Sequence, residues 1–192
     1  DGHWYAADFS LAEIRALSVH ERLDNRFPVG KSAFMVPTFE EVIELVQGLN
    51  ATTGRNVGIY PELKQPAWHA AEGLPMEAAF LKIVDSYGYQ GPDARIFIQC
   101  FEVEPLKKMR DVLGSNLPMI QLMGDGEKYS AMTTEAGLKE IAAYAQGIGP
   151  AKSLVYANPT LVQSAHALGL HVHPYTLRDD DVAQGYASAE AE

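Results

Sequence analysis

Glu62 and Lys64 stand two residues apart at the end of the apolar run 57–63, so an extended backbone puts a carboxylate and an ammonium on one face. A charge at the end of a buried strand needs a counter-charge, a bound cation or a proton. Glu62 is therefore either one half of a strand-end salt bridge with Lys64, or a ligand for a metal or substrate. Further along, His171, His173 and Tyr175 share one face of a strand-like run, with Pro174 and Thr176 on the other. Two such histidines could ligate a metal or move protons, although no third ligand is specified nearby. His173 is the better placed of the two, being closer to the C-terminal end. Gln99 shares a face with Phe101 and could orient a phosphate oxygen or a water, or could simply be a buried amide satisfied by backbone.

Other groups carry less. Trp68 and His69 follow the proline turn after Lys64 and could line a ligand rim or pack. His3, His20 and His166 have no local metal-ligand spacing. The single cysteine, Cys100, excludes an internal disulfide and any multi-cysteine metal site, and within Ile96-Phe97-Ile98-Gln99-Cys100-Phe101 it reads as a small buried hydrophobe. Gly124-Asp125-Gly126 marks a turn and lacks the spacing of a phosphate-cradling loop. No serine sits in a nucleophile elbow, which argues against a serine esterase.

The elements that must position these groups alternate. Capping-box spacings at Ser10/Glu13 and Thr38/Glu41 open helices expected to end near Ser18 and at Gly54. Strands are expected over 57–63, 96–101, 119–123, 147–149 and 170–176, with helices over 76–87, 105–113, 135–144 and 159–168, the last capped by Asn158 with Pro159 at its first position. Strands alternating with helices predict βα units and a largely parallel sheet, with its working edge at the C-terminal ends. Residues 1–37 read as a short helix and long loop, 38–178 as the α/β body, and 179–192 as an acidic tail or an interrupted connection.

Composition sets bounds. The 192 residues are 47% hydrophobic and 21% charged, ordinary for one globular domain. With 15 Lys and Arg against 25 Asp and Glu, the formal charge is −10, and no basic run interleaved with aromatics exists, so nucleic acid is not expected as a partner. No apolar run approaches the about 18 residues of a membrane span. The start, Asp1-Gly2-His3-Trp4-Tyr5, carries no signal-peptide pattern. Oligomeric state has no signature here.

Several runs together resemble the bacterial periplasmic glycerophosphodiester phosphodiesterases. They are Asp8-Phe9-Ser10-Leu11, Pro28-Val29-Gly30-Lys31-Ser32, Pro37-Thr38-Phe39-Glu40-Glu41, Gln47-Gly48-Leu49-Asn50, Gly58-Ile59-Tyr60-Pro61-Glu62-Leu63-Lys64, Gln99-Cys100-Phe101 and His173-Pro174-Tyr175-Thr176, in that family's order. The resemblance implies a TIM-type β/α barrel that hydrolyses glycerophosphodiesters, as small-molecule substrates, to glycerol 3-phosphate and an alcohol with a divalent ion, Ca2+ or Mg2+. It implies catalytic roles for Glu62 as metal ligand and Lys64 as phosphate contact. Gln99, Phe101, His173 and Tyr175 would line the substrate, with Phe101 on the glycerol side. A periplasmic or secreted location follows from the resemblance alone.

The family's His-Arg-Gly, Glu-x-Asp and His-Asp segments do not occur in this sequence. The chain is therefore expected to be a partial barrel with about five of eight strands, the third to the seventh. By itself it would be inactive. The alternatives are a phosphate-binding protein without catalysis, or a structural α/β domain in which Glu62 and Lys64 form only a salt bridge.

Overall fold

Local capping organises the first of two compact units, residues 1–55. The computed structural model describes residues 4–21, 23, 26 and 34–191; His3, the loop positions Arg22, Asp24 and Asn25, and the run 28–32 lie outside them. Ser10 Oγ accepts the Glu13 N–H while the Glu13 carboxylate accepts the Ser10 N–H at 2.8 Å, and helix α1 runs over Leu11–Arg15. It ends short of Ser18, which instead bridges Met35 in antiparallel fashion. Thr38 and Glu41 repeat the reciprocal cap for α2, Phe39–Thr53, and Gly54 stops that helix at φ 67°. Of the apolar residues on α2, Ile43 is fully buried, whereas Val42, Leu45 and Leu49 are exposed. This unit includes α2, which the sequence pattern grouped with the body that follows.

The second unit, residues 56–192, is the α/β body. Its strands β1 (Ile98–Cys100), β2 (Met119–Met123), β3 (Gly147–Pro150) and β4 (His171–Val172) form a parallel sheet in the order β1-β2-β3-β4. Sequential order is what right-handed βα units produce. The expected strand over 57–63 lies beside β1 but is reduced to two parallel bridges, Ile59↔Ile96 and Glu62↔Gln99. Pro61 is the reason. The ladder bonds from Ile59 N to Arg95 O and from Leu63 N to Gln99 O are both 2.9 Å, and the donor that should lie between them is the one proline lacks. The last strand is likewise shorter than expected, with pairing resumed only at the bridge Ala151↔Tyr175.

Two faces follow from the register. One carries Ile59, Leu63, Ile96, Ile98, Cys100, Met119, Met123 and Ile148, all buried beneath helices. These helices are α3 (Pro66–Ala71), α4 (Glu77–Ser86), α5 (Val103–Lys107) running into a wider π turn at Lys108–Val112, α6 (Glu135–Ala142), α7 (Lys152–Ala157) and α8 (Leu161–Ala167). Leu138 and Ile141 of α6 are fully or nearly fully buried, each worth about 2 kcal/mol. Arg110 fastens the N-terminal ends of β2 and β3, donating to Ser115 O at 2.7 Å and to Gln146 Oε1 at 2.9 Å. The Asn158 carboxamide accepts from the Thr160 N–H and hydroxyl, so α8 starts at Leu161, two residues later than the sequence pattern predicts.

The opposite face is the concave interior, bearing Tyr60, Glu62, Phe97, Gln99, Phe101, Ile120, Leu122, His171, His173 and Tyr175. Four inter-strand spacings of about 4.8 Å would separate the first and fifth strands by about 19 Å in a flat sheet. Yet Tyr60 Oη and His173 Nδ1 are hydrogen-bonded at 3.0 Å, so the sheet curls as a barrel wall does. The fold is of the TIM-type β/α kind. Residues 179–191 lie against the body: Lys152 Nζ donates to Asp181 O at 3.5 Å, and Tyr186 stacks on Tyr156. Among the described residues no helix is long and apolar enough to cross a membrane.

Candidate active site

Glu62 and Lys64 both project at the C-terminal ends of the strands, and Lys64 Nζ donates to Glu62 Oε2 at 2.8 Å. The glutamate side chain is 21% exposed and the lysine 75%, so the carboxylate is partly withdrawn while the lysine faces solvent. They open onto a cleft of about 420 Å³ whose other walls include Phe101, Glu102, Lys128 and Tyr129. Gln65, the next residue, takes a left-handed φ of 50° and turns the chain sharply into α3. Glu102 accepts the Ala67 N–H at 3.0 Å, holding that turn against the end of β1, and is half-buried.

Phe101 is the centre of an aromatic wall. Its ring meets Tyr175 edge-on at 6.0 Å and Tyr129 at 6.2 Å. Tyr175 donates its hydroxyl to Met123 O at 3.0 Å, and burial pushes that phenol above its ordinary range. The backbone under this wall is set by Gln121, a fully buried amide on the helix-covered face. Its Nε2 donates to Phe101 O at 3.1 Å and to Leu122 O at 3.0 Å, while its Oε1 accepts from the Tyr144 hydroxyl at 2.9 Å.

The structure divides the residues singled out in the sequence. Glu62, Lys64 and Phe101 share the cleft, and Tyr175 backs it through Phe101. Gln99 is committed to backbone, its Nε2 donating to Tyr60 O at 3.0 Å. His173 lies deeper in the interior, in a separate cavity of about 470 Å³ with Tyr60, Phe97 and His171. Burial, followed by the neighbouring His171, lowers the His173 pKa, and burial pushes Tyr60 up, so both are neutral at ordinary pH. Cys100 is buried with its thiol donating to Leu63 O, and burial raises its pKa to about 11, which leaves it unreactive. Lys128 and Tyr129 were not anticipated. The Gly124-Asp125-Gly126 turn was the available signal, because the residues after a turn on the C-terminal edge reach the rim.

Glu62 offers the hard oxygen that Ca2+ or Mg2+ prefers, but such ions take about six or more oxygen ligands. Among the described residues no three His, Cys, Asp or Glu lie together in a way that could hold a metal. The cleft therefore supplies the Glu62 carboxylate and that of Glu102, which the Ala67 N–H already engages, and does not by itself make a metal centre.

A curled parallel sheet with charged groups at its C-terminal mouth defines a protein of the β/α-barrel class. Residues 1–192 match the Glycerophosphoryl diester phosphodiesterase family, and the chain belongs to it. It is 31% identical over 223 residues to a Haemophilus influenzae glycerophosphodiester phosphodiesterase, covering 94% of this chain and 61% of that protein. A Treponema pallidum glycerophosphodiester phosphodiesterase is 28% identical, with 94% and 62% covered. The chain thus spans about three fifths of the length of these curated relatives. Among solved structures, a Silicibacter pomeroyi protein assigned to the glycerophosphoryl diester phosphodiesterases superposes with a TM-score of 0.67 at 28% identity, covering 91% of this chain and 62% of that one.

Proposed function

We propose that this chain forms part of an enzyme that hydrolyses glycerophosphodiesters to glycerol 3-phosphate and an alcohol. The observation that carries the reading is the Glu62–Lys64 pair at 2.8 Å, at the mouth of a cleft whose wall is Phe101. Lys64 is 75% exposed, where an ion pair is worth little, so its ammonium can neutralise charge on the phosphoryl oxygens as the bond to the leaving alcohol breaks. Phe101 offers an apolar surface to the glycerol carbons. A glycerol hydroxyl beside the phosphorus can serve as the internal nucleophile: its oxygen bonds to phosphorus, the alcohol oxygen departs and takes up a proton, and water then opens the cyclic ester. The net change is one water consumed per diester.

The divalent ion implied by the resemblance belongs to the same proposal. Glu62 is the ligand we assign to it, and no step above is routed through it. We assign no general acid or base among the described residues, and so propose that the 192-residue chain alone turns over little. A periplasmic location rests on the same likeness.

The test is release of glycerol 3-phosphate from glycerophosphocholine by the protein expressed from its complete gene. Glu62→Gln is expected to remove most turnover, and Lys64→Met to lower kcat by about 10²-fold or more, as loss of one charge-stabilising group does. Wild-type kcat/KM in both variants would overturn the reading.

A further inference from the structure

Lys128 and Tyr129 begin the 3-10 helix Glu127–Thr133, directly after the turn that follows β2. The Lys128 ammonium lies 4.7 Å from the centroid of the Tyr129 ring, within the range of a cation–π contact. That ring is 7% exposed. It is held against Gly124, where an added Cβ would sit 3.2 Å from Tyr129 Cε2, and against Phe101. Lys128 itself is exposed and reaches both this cleft and the neighbouring one lined by Lys107 and Glu140. The cleft therefore contains a π face that already seats one cation, the ammonium of Lys128.

Its position assigns it to one arm of a diester. Glu62, Lys64, Phe101, Lys128 and Tyr129 line one cleft, in which the Phe101 and Tyr129 rings meet at 6.2 Å. A phosphate held at Lys64 with its glycerol along Phe101 directs the other ester arm toward Lys128 and Tyr129. We propose that these two residues select the alcohol head group: the lysine occupies the Tyr129 face and disfavours cationic head groups such as quaternary ammonium alcohols, while its charge favours hydroxylated or anionic ones. This rests on the hydrolase reading for its substrate, but the cation seat can be tested without turnover.

The 192-residue chain is titrated with tetramethylammonium and followed by NMR through the backbone amide signals around residue 129, which every variant retains. Lys128→Ala is expected to bind about fivefold more tightly than wild type, the size of a partly desolvated cation–π contact. Tyr129→Leu added to Lys128→Ala should erase the gain, and Tyr129→Phe, which keeps the π face and the packing, should retain it. Lys107→Ala, the same charge change beside the neighbouring cleft, should leave affinity as in wild type. Unchanged affinity in Lys128→Ala, or an equal gain in Lys107→Ala, overturns the proposal. In the complete protein, Lys128→Ala should lower the kcat/KM ratio of glycerophosphoglycerol over glycerophosphocholine by a similar factor. A complete protein that hydrolyses neither substrate refutes the hydrolase reading, and the tetramethylammonium titration still decides the cation seat.

Discussion

Gln121→Leu removes the amide under the aromatic wall while conserving apolar volume. Gln121 is fully buried, and its two amide hydrogens are shared among Leu122 O at 3.0 Å, Phe101 O at 3.1 Å and Cys100 O at 3.3 Å. Its oxygen accepts the Tyr144 hydroxyl at 2.9 Å. Two donated bonds and one accepted bond, at about 1 kcal/mol net each, give about 3 kcal/mol. The buried Tyr144 hydroxyl then lacks its acceptor, which adds about 1 kcal/mol or more. The expected loss is about 3–5 kcal/mol out of a typical total of about 5–15 kcal/mol. In urea unfolding, with a slope of about 2 kcal/mol/M, the midpoint should fall by about 1.5–2.5 M at unchanged slope. Tyr144→Phe in the same chain removes the stranded hydroxyl, so the double variant should be about 1 kcal/mol more stable than Gln121→Leu alone. A single-variant loss under about 1 kcal/mol, or a double variant no more stable than the single, would refute the idea that this amide holds the strand end carrying Phe101.

Two smaller tests address the turn and the interior. Gln65 holds φ 50° immediately before Pro66, a left-handed conformation that costs a side-chain-bearing residue about 1–2 kcal/mol, so Gln65→Gly should gain about 0.5–1 kcal/mol in urea unfolding after the entropic cost of glycine; a loss of stability would show that the turn is not strained. For His173, burial and His171 lower the folded pKa below the unfolded value of about 6.5, so the unfolded state binds more protons in the window below that value. The stabilisation is present above about pH 6.5 and is lost as pH falls toward the folded pKa, and His173→Gln should flatten that part of the stability curve. An NMR titration placing His173 at or above about 6.5 would contradict this.

What could be read from the sequence follows the range of each interaction. The Ser10/Glu13 and Thr38/Glu41 caps form as their spacing requires, because both partners lie within one turn. The Glu62–Lys64 contact is equally local, a two-residue repeat on an extended backbone. Helices α3 and α7 have six residues each, too few to show a helical period, and α7 buries none of them. Gln99 shows the next limit. Its neighbours in sequence place it at a strand end, but its partner, the Tyr60 carbonyl, is fixed by the register between two strands. His173 shows the last. Its face was legible from the pleat, whereas its bond to Tyr60 depends on the curl of the whole sheet.

That curl also explains why the polar groups of the interior are divided between its two edges. Strand β3 presents only glycines to the interior, and its neighbours fill the space. A Cβ at Gly149 would lie 2.6 Å from Leu122 Cδ2, and one at Gly147 would lie 2.7 Å from both Ile120 Cδ1 and His171 O. The side chains of β2 therefore lean across β3 and close the interior there with hydrocarbon. Polar groups can project freely only from the strands flanking that plug, which carry Glu62 and Lys64 at one edge and His173 and Tyr175 at the other. Phe101 stands between them, touching Tyr175 on one side and Tyr129 on the other. The apolar packing of β2 on β3 thus leaves the polar groups of the mouth on its two flanks, with the Phe101 ring standing between them.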